Sequence, residues 1–139
     1  MSTPGAPART TDTKNLPLPI QRAIKAAQDK KAADIVVMDL REAGAFTDFF
    51  VICSGQNPRQ VKAIAEHVEE ALREAHIRPA HHEGYQRAEW VLLDYFDFIV
   101  HVFHRETRLF YALDRLWGSA PRIVPPDREG LAAAGPLGP

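Results

Sequence analysis

One stretch decides the fold, and it reads Trp90-Val91-Leu92-Leu93-Asp94-Tyr95-Phe96-Asp97-Phe98-Ile99-Val100-His101-Val102-Phe103-His104. Two apolar runs flank a short acidic and aromatic segment, which is the pattern of a β-hairpin. The second run, 98–104, is rich in β-branched and aromatic residues and is apolar on both sides of a strand, although periodicity alone also permits a helix. Because such a strand must be covered on both faces, we expect it to form the centre of the core.

The turn between the two runs differs from an ordinary surface turn. Asp94 and Asp97 suit a turn, because their side chains can bond to the nearby backbone. Tyr95 and Phe96 at the tip would place large apolar surface where loops normally meet water. We therefore predict that the tip is a contact surface.

Length and composition indicate one domain of ordinary globular character. The chain has 139 residues, of which 45% are hydrophobic and 25% charged, and no stretch approaches the roughly 20 apolar residues of a membrane span. A net charge of -1 gives no electrostatic signature of direct DNA or RNA binding, so in a nucleoprotein we expect a protein to be the target. The single cysteine, Cys53, cannot form an internal disulfide. With no leader pattern at the N-terminus, we expect a soluble protein of the reducing cytoplasm.

Hydrophobic periodicity predicts the order α-β-β-α-β-β-α, with disordered tails at 1–15 and 125–139 around a domain at 16–124. The predicted elements are a helix from Pro19 to 29 or 30, strands at 33–40 and 47–53, a helix from Pro58 with Asn57 as N-cap, the hairpin at 90–104, and a last helix from the N-cap Thr107 to near Gly118. The short link at 41–45 favours antiparallel pairing of the first two strands. This order describes an α/β fold with a mixed sheet covered by helices.

The first predicted helix carries Ile20, Ala23, Ile24 and Ala27 at helical spacing, and the two later helices carry longer apolar stripes. The first apolar stripe, in the helix that begins at Pro58, consists of Val61, Ile64, Ala65, Val68, Leu72 and Ala75. The second, in the last helix, consists of Leu109, Phe110, Leu113, Leu116 and Trp117. We expect both stripes to be buried against the sheet.

The sequence resembles the ribosomal silencing factor family, also called the Iojap family, over nearly all of 16–124. The resemblance is carried by the order and spacing of Ala33-Asp34-Ile35, Thr47-Asp48-Phe49-Phe50-Val51-Ile52 before Ser54-Gly55, Arg59-Gln60-Val61, Ala63-Ile64-Ala65, Glu83-Gly84, Trp90-Val91-Leu92-Leu93-Asp94-Tyr95, Val100-His101-Val102-Phe103, Arg108, Phe110-Tyr111 and Leu116-Trp117. One position departs from the family. Where the family usually has Asp-Tyr-Gly-Asp, this chain has Phe96 in place of the glycine, and phenylalanine tolerates a positive φ far less well.

The resemblance implies a nucleotidyltransferase-like fold without catalysis and without a cofactor. It implies a translation repressor that binds the large ribosomal subunit through the ribosomal protein L-fourteen and prevents the small subunit from joining. It also implies that the free protein forms a homodimer. The residues that it assigns to the partner surface are Trp90, Asp94, Tyr95, Phe96 and Asp97. From the residues alone, Trp90 suits a core aromatic equally well.

An enzyme is the alternative of a different class. Asp34, Asp39 and Asp48 would be the candidate carboxylates of a metal-dependent nucleotidyl transfer to a nucleotide or a protein hydroxyl. The fold would then require an acidic pair behind the Ser54-Gly55 turn, and the sequence has none there. We expect these aspartates to be solvated residues at strand ends and turns. A homodimeric scaffold without a ribosomal role is a third alternative.

The remaining candidate residues for chemistry favour structural roles. Four histidines suggest zinc, but His81 and His82 lie on a loop, and His101 and His104 point to opposite faces of one strand. Cys53 ends an apolar strand, where a thiol behaves as a small hydrophobe. The 54–57 turn together with Arg59 could hold an anion at a helix N-terminus, and we favour a capped helix start instead.

Overall fold

The computed structural model describes residues 9–10 and 12–126. In chain order its elements are β1 (Arg9–Thr10), α1 (Leu18–Asp29), β2 (Ala33–Asp39), β3 (Phe49–Gly55), α2 (Pro58–Glu74), β4 (His81–Glu83), β5 (Trp90–Asp94), β6 (Phe98–His104), α3 (Arg105–Tyr111), α4 (Leu113–Leu116) and β7 (Arg122–Ile123). The strands form one mixed sheet in the order β1-β7-β2-β3-β6-β5-β4. The predicted α/β class is confirmed, with three short strands and one short helix added.

The hairpin forms as predicted. β5 pairs antiparallel with β6, and Trp90 lies opposite Phe103. On its other side β6 pairs in parallel with β3 over all seven residues. Every residue of β3 and six of the seven residues of β6 are buried, so these two strands lie at the centre of the core. β2 pairs antiparallel with β3, as the short link between them predicted.

The two faces of the sheet are covered unequally. One face packs against α1 and α2, which are 12 and 17 residues long, and includes Val37, Val51, Cys53, Val91, Leu93, Val100 and Val102. The other face packs against Leu113, Ala120 and the half-buried Trp117, and includes Val36, Met38, Phe50, Ile52, Ile99 and Phe103. The helices on this second side, α3 and α4, have only seven and four residues. The second face is therefore less completely covered at the β5 edge.

The predicted cap of α2 is confirmed. Asn57 Oδ1 accepts a hydrogen bond from the Gln60 backbone N–H at 2.9 Å, and Pro58 occupies the first turn. Gln60 Oε1 in return accepts the Gln56 backbone N–H at 2.7 Å. This reciprocal pair satisfies two backbone donors at the helix start. The apolar face of α2 is buried as expected, from Val61 to Leu72.

The prediction of one continuous last helix is wrong. α3 begins directly after β6 at Arg105, so Thr107 lies inside the helix and is not its N-cap. The helix then breaks at Ala112, which has a left-handed backbone with φ of +49°, before α4 begins. Because the break redirects the chain, the expected buried stripe does not form. Leu113 is buried and Trp117 half-buried, but Leu109, Phe110 and Leu116 are 80%, 81% and 72% exposed.

The predicted tails lie largely outside the described residues. Within the N-terminal one, Arg9–Thr10 pair in parallel with β7. Of the C-terminal one, Pro125 and Pro126 are described, and the Pro126 carbonyl accepts a hydrogen bond from Gln28 Nε2 at 2.8 Å. The domain boundaries at 16 and 124 stay a prediction. In the part of the chain that the structure describes, no helix is both long and apolar enough to cross a membrane.

We predict that truncating Phe103 to alanine lowers the free energy of unfolding by about 3 to 5 kcal/mol, because its side chain is fully buried at the sheet centre. Phe110→Ala is the matched control, since it removes the same atoms from a ring that is almost fully exposed. It should change stability by about 0.5 kcal/mol or less. Urea unfolding followed by circular dichroism measures both. Equal losses in the two variants would contradict the assigned core.

Candidate functional site

The five residues predicted to contact a partner do not form one cluster. Asp94, Phe96 and Asp97 belong to the turn between β5 and β6. Trp90 begins β5, which places it four strand steps or roughly 13 Å from Asp94. Tyr95 belongs to the turn but points inward. The structure therefore divides the predicted surface into a turn end and a Trp90 end.

Hydrogen bonds within the turn fix its shape. The Phe96 backbone N–H donates to Asp94 Oδ1 at 2.9 Å. The Asp97 N–H donates to the Tyr95 carbonyl at 2.8 Å, and the Tyr95 N–H donates to the Phe98 carbonyl at 2.9 Å. Asp94 thus acts through its side chain as a turn former, as its residue type predicted.

A second segment of the chain clamps the turn from the side. The buried Thr47 hydroxyl donates to the Phe96 carbonyl at 2.7 Å. The backbone N–H groups of Asp48 and Phe49 both donate to the Asp97 carbonyl, at 3.0 and 3.2 Å. Because Phe49 begins the central strand β3, these bonds anchor the turn to the middle of the sheet.

Phe96 combines an exposed side chain with a strained backbone. Its side chain is 75% exposed, which confirms the predicted exposure at this position. Its φ is +70°, so the turn keeps the conformation that a glycine favours although the residue is phenylalanine. A side chain in this region costs on the order of 1 to 2 kcal/mol. Strain that the surrounding hydrogen bonds maintain is common at functional sites.

The predicted exposure of Tyr95 is wrong. Only 7% of its surface is accessible, and its ring stacks on Phe98 with centroids 4.9 Å apart and planes 13° from parallel. Its buried hydroxyl has no hydrogen-bond partner among the described residues, and burial, with a smaller contribution from the charge of Glu69, raises the pKa of that phenol. The tip folds back over the sheet because Tyr95 supplies apolar surface to the core. Tyr95 therefore supports the turn from below.

Trp90 lies half-buried at the edge of the second face. Its indole Nε1 donates to Nδ1 of the buried His101 at 3.1 Å, which makes Nδ1 the acceptor nitrogen of that imidazole. The indole stacks on Phe103 with centroids 4.8 Å apart. A hydrogen bond and a ring contact thus hold Trp90 in one orientation.

The Trp90 ring continues into exposed aromatic surface on α3. Tyr111 packs on Trp90 with ring centroids 5.0 Å apart, and Phe110 packs edge-on against Tyr111 at 5.1 Å. Trp90, Tyr111 and Phe110 therefore form a continuous group, which we call the aromatic trio. Leu109 on α3 and Leu116 on α4 add exposed apolar surface.

Sequence reasoning assigned Phe110, Leu109 and Leu116 to the core. Their spacing fits one helical stripe, but the break at Ala112 divides that stripe between α3 and α4, and these three residues are exposed while Leu113 is buried. Nothing in the sequence signals that break, since alanine is a strong helix former and rarely adopts a left-handed backbone. Phe46 is also highly exposed and directly precedes Thr47, whose hydroxyl bonds to the turn. The sequence patterns predicted no role for Phe46.

The candidate carboxylates of the enzyme alternative are not gathered at one point. Asp39 forms a bidentate pair with Arg41 at 2.9 and 2.7 Å, and the hydrogen bond from Arg41 lowers the pKa of that carboxyl. Asp34 lies at the opposite end of β2, and Asp48 joins the turn clamp through its backbone. Among the described residues, no three His, Cys, Asp or Glu side chains come together as a metal ion would require.

The histidines and the cysteine have separate structural surroundings. His82 Nδ1 lies 3.0 Å from Glu69 Oε2, which also accepts the Tyr85 hydroxyl, so this group ties β4 and its loop to α2. His104 Nε2 lies 3.1 Å from the Gln56 carbonyl, on the face opposite His101. Cys53 is fully buried, and burial raises the pKa of its thiol to about 12.

Comparison with known proteins matches most of this chain to one family. The model of the family described as "Ribosomal silencing factor during starvation" matches residues 13–135. A relative from Halalkalibacterium halodurans, named ribosomal silencing factor RsfS, is 41% identical over 104 residues, which cover 75% of this chain and 89% of the relative. The protein of the same name from Bacillus subtilis is 41% identical over 99 residues, which cover 71% of this chain and 84% of the relative.

The fold is also similar to that of a solved structure. A crystal structure of a protein from Chromobacterium violaceum superposes with a TM-score of 0.71 at 35% sequence identity. The superposition covers 73% of this chain and 84% of that one. The resemblance noted from the sequence motifs is therefore confirmed at the level of both sequence and fold.

We predict that Phe96→Gly is more stable than Phe96→Ala by roughly 1 kcal/mol, because glycine adopts a positive φ without a side-chain clash. The two variants both lose the exposed ring, so their difference isolates the backbone strain. Chemical denaturation of the pair measures it. Equal stabilities would show that the turn relaxes to another conformation when the ring is removed.

Proposed function

This chain belongs to the ribosomal silencing factor family, and on that basis we propose that it represses translation by binding the large ribosomal subunit and preventing the small subunit from joining. The family name and the names of the relatives support a regulatory role at the ribosome. Obstruction of subunit joining goes beyond those names and is our proposal. The observation that carries it is an exposed aromatic surface on the face of the sheet that the helices cover least.

We assign the docking surface to the β5 edge of that face and place the aromatic trio at its centre. Large aromatic side chains that are held in place make effective binding hot spots, because little conformational entropy is lost when a partner covers them. Trp90 meets this condition through His101 and Phe103. The trio adds Phe110 and Tyr111 to the residues predicted from the sequence.

The clamped turn forms the other end of the proposed surface. Phe96 projects an exposed ring there, and Asp94 and Asp97 shape the turn beneath it. Tyr95 contributes by holding the turn down and not by touching the partner. We propose the ribosomal protein L-fourteen as the partner, since the resemblance implies it and since the exposed residues suit a protein target.

The proposed mechanism is steric and does not require catalysis. The separated carboxylates and the paired Asp39 do not support a nucleotidyl transfer site, which needs acidic ligands clustered around metal ions. A folded chain docked on the joining surface excludes the small subunit simply by occupying its place. We expect this to happen in the cytoplasm, where free subunits meet.

We propose a second use of the same surface in the free chain. Large exposed apolar patches mark protein interaction sites, and a second copy of the chain can cover such a patch. We therefore propose that the free protein forms a homodimer through the aromatic trio, and that binding to the large subunit separates the two copies.

We predict that Phe110→Ala and Phe96→Ala each weaken binding to isolated large subunits by roughly five- to thirtyfold, which corresponds to about 1 to 2 kcal/mol for a hot-spot residue. Leu18→Ala is the control. Leu18 is 75% exposed, but it lies on α1, which covers the opposite face of the sheet. Its removal should leave the affinity unchanged.

Quantitative co-sedimentation of each variant with large subunits measures these affinities, and melting curves check that the variants are folded. Unchanged binding by both phenylalanine variants would place the partner surface elsewhere. An equal loss in Leu18→Ala would show that binding does not depend on this face.

A further inference from the structure

Gly84 approaches the start of β5 so closely that its backbone leaves no room for a side chain. A Cβ atom placed on this glycine would overlap the Trp90 carbonyl oxygen, and it would lie 3.1 Å from the Val91 Cα. The backbone φ of Gly84 is +95°, in a region that residues with a side chain rarely adopt. Because Gly84 is exposed to solvent, it does not fill the core. The close approach of two backbone segments therefore requires a glycine here.

The chain between Gly84 and Trp90 contains a closed turn, which we call the 84–88 turn. The Ala88 backbone N–H donates to the Gly84 carbonyl at 2.9 Å. Ala88 is buried and has a φ of +53°, so both ends of the turn have a positive φ. Only Glu89 separates this turn from Trp90. Because a hydrogen bond closes the turn, a displacement at Gly84 also reaches the first residue of β5.

Both sides of the contact are anchored to other parts of the fold. On the side of the turn, the Tyr85 hydroxyl donates to Glu69 Oε2 on α2. On the side of β5, the Glu89 carbonyl accepts a hydrogen bond from the His104 backbone N–H at 2.8 Å. A methyl group on residue 84 must displace one of these anchored segments. Either displacement moves the point at which the chain enters β5.

We propose that Gly84 is a positioning residue for Trp90 of the aromatic trio. The Trp90 indole is oriented by its hydrogen bond to His101 Nδ1 and by its stacking on Phe103. Both contacts depend on the register in which β5 pairs with β6. A side chain at residue 84 shifts the Trp90 backbone, so the indole loses its bond to His101 and leaves its place in the docking surface. The role in docking rests on the proposed function, whereas the effect on the indole does not.

Gly44 provides the matched control. It also has a positive φ, of +75°, but a Cβ atom placed there would meet no other atom within 4 Å. Gly44→Ala and Gly84→Ala therefore both introduce the strain of a side chain at positive φ. Only Gly84→Ala adds the overlap with Trp90. A difference between the two variants at Trp90 thus reports the close contact and not the strain.

The first measurement follows the Trp90 indole N–H by NMR and needs no ribosome. The chain has two tryptophans, and Trp117→Phe identifies which indole signal belongs to Trp90. In Gly84→Ala this signal should shift, and the N–H should exchange with water roughly tenfold faster, because the bond to His101 no longer protects it. In Gly44→Ala the signal and its exchange rate should match those of the parent chain.

Equal changes in the two glycine variants, or no change in Gly84→Ala, would overturn the proposal. Circular dichroism checks that both variants are folded. We expect Gly84→Ala to fold, because the contact lies outside the central pair of β3 and β6. An unfolded Gly84→Ala chain would show that this glycine serves the whole fold, and it would also overturn the assignment to Trp90.

The second measurement is a double-mutant cycle on the affinity for large subunits. Gly84→Ala should weaken co-sedimentation roughly five- to thirtyfold, as the loss of a hot-spot residue does. In a Trp90→Ala background the same substitution should change the affinity by less than about twofold, because it acts through the indole. Equal losses with and without Trp90 would contradict the proposal. Absence of binding by the parent chain would refute the proposed function, and the NMR comparison would still decide whether Gly84 positions Trp90.

Discussion

The parallel pairing of β3 with β6 is the interaction on which the rest of the structure depends. Both strands are apolar on both sides, so the pair is stable only when two layers of side chains exclude water from it. α1 and α2 supply one layer with nearly thirty helical residues. The other layer comes from two short helices and the segment that leads into β7. That difference leaves the β5 edge of the second face open, and the proposed docking surface lies there.

The break at Ala112 and the turn at 94–97 give this open face its specific features. The break ends α3 directly after Phe110 and Tyr111 of the aromatic trio and separates these exposed rings from the buried Leu113. The turn holds Phe96 outward in a conformation suited to glycine, and Thr47 and the start of β3 stabilise it by hydrogen bonds. Both features rely on a positive φ at a residue other than glycine. The surrounding packing compensates for this local strain, as is common where backbone shape serves binding.

Sequence patterns correctly predicted the helices and strands whose apolar residues follow a clear period and face the core along their whole length. The strand around Val100 that is apolar on both sides, the cap at Asn57 and the stripe of α2 all form as expected, because burial and helix-end hydrogen bonding act locally on those residues. The predicted exposure of Tyr95 is wrong, because the composition of a turn does not reveal that a ring folds back onto Phe98. The predicted last helix is wrong, because the spacing of apolar residues does not reveal a left-handed backbone at Ala112.

Subunit joining in the presence of the protein tests the central claim most directly. Purified large and small subunits are mixed at a magnesium concentration that supports joining, with increasing amounts of the protein, and separated on a sucrose gradient. We predict that the joined fraction falls as the protein is added, and that the protein migrates with free large subunits. Undiminished joining with the protein bound to joined ribosomes, or migration with small subunits alone, would contradict the proposed function.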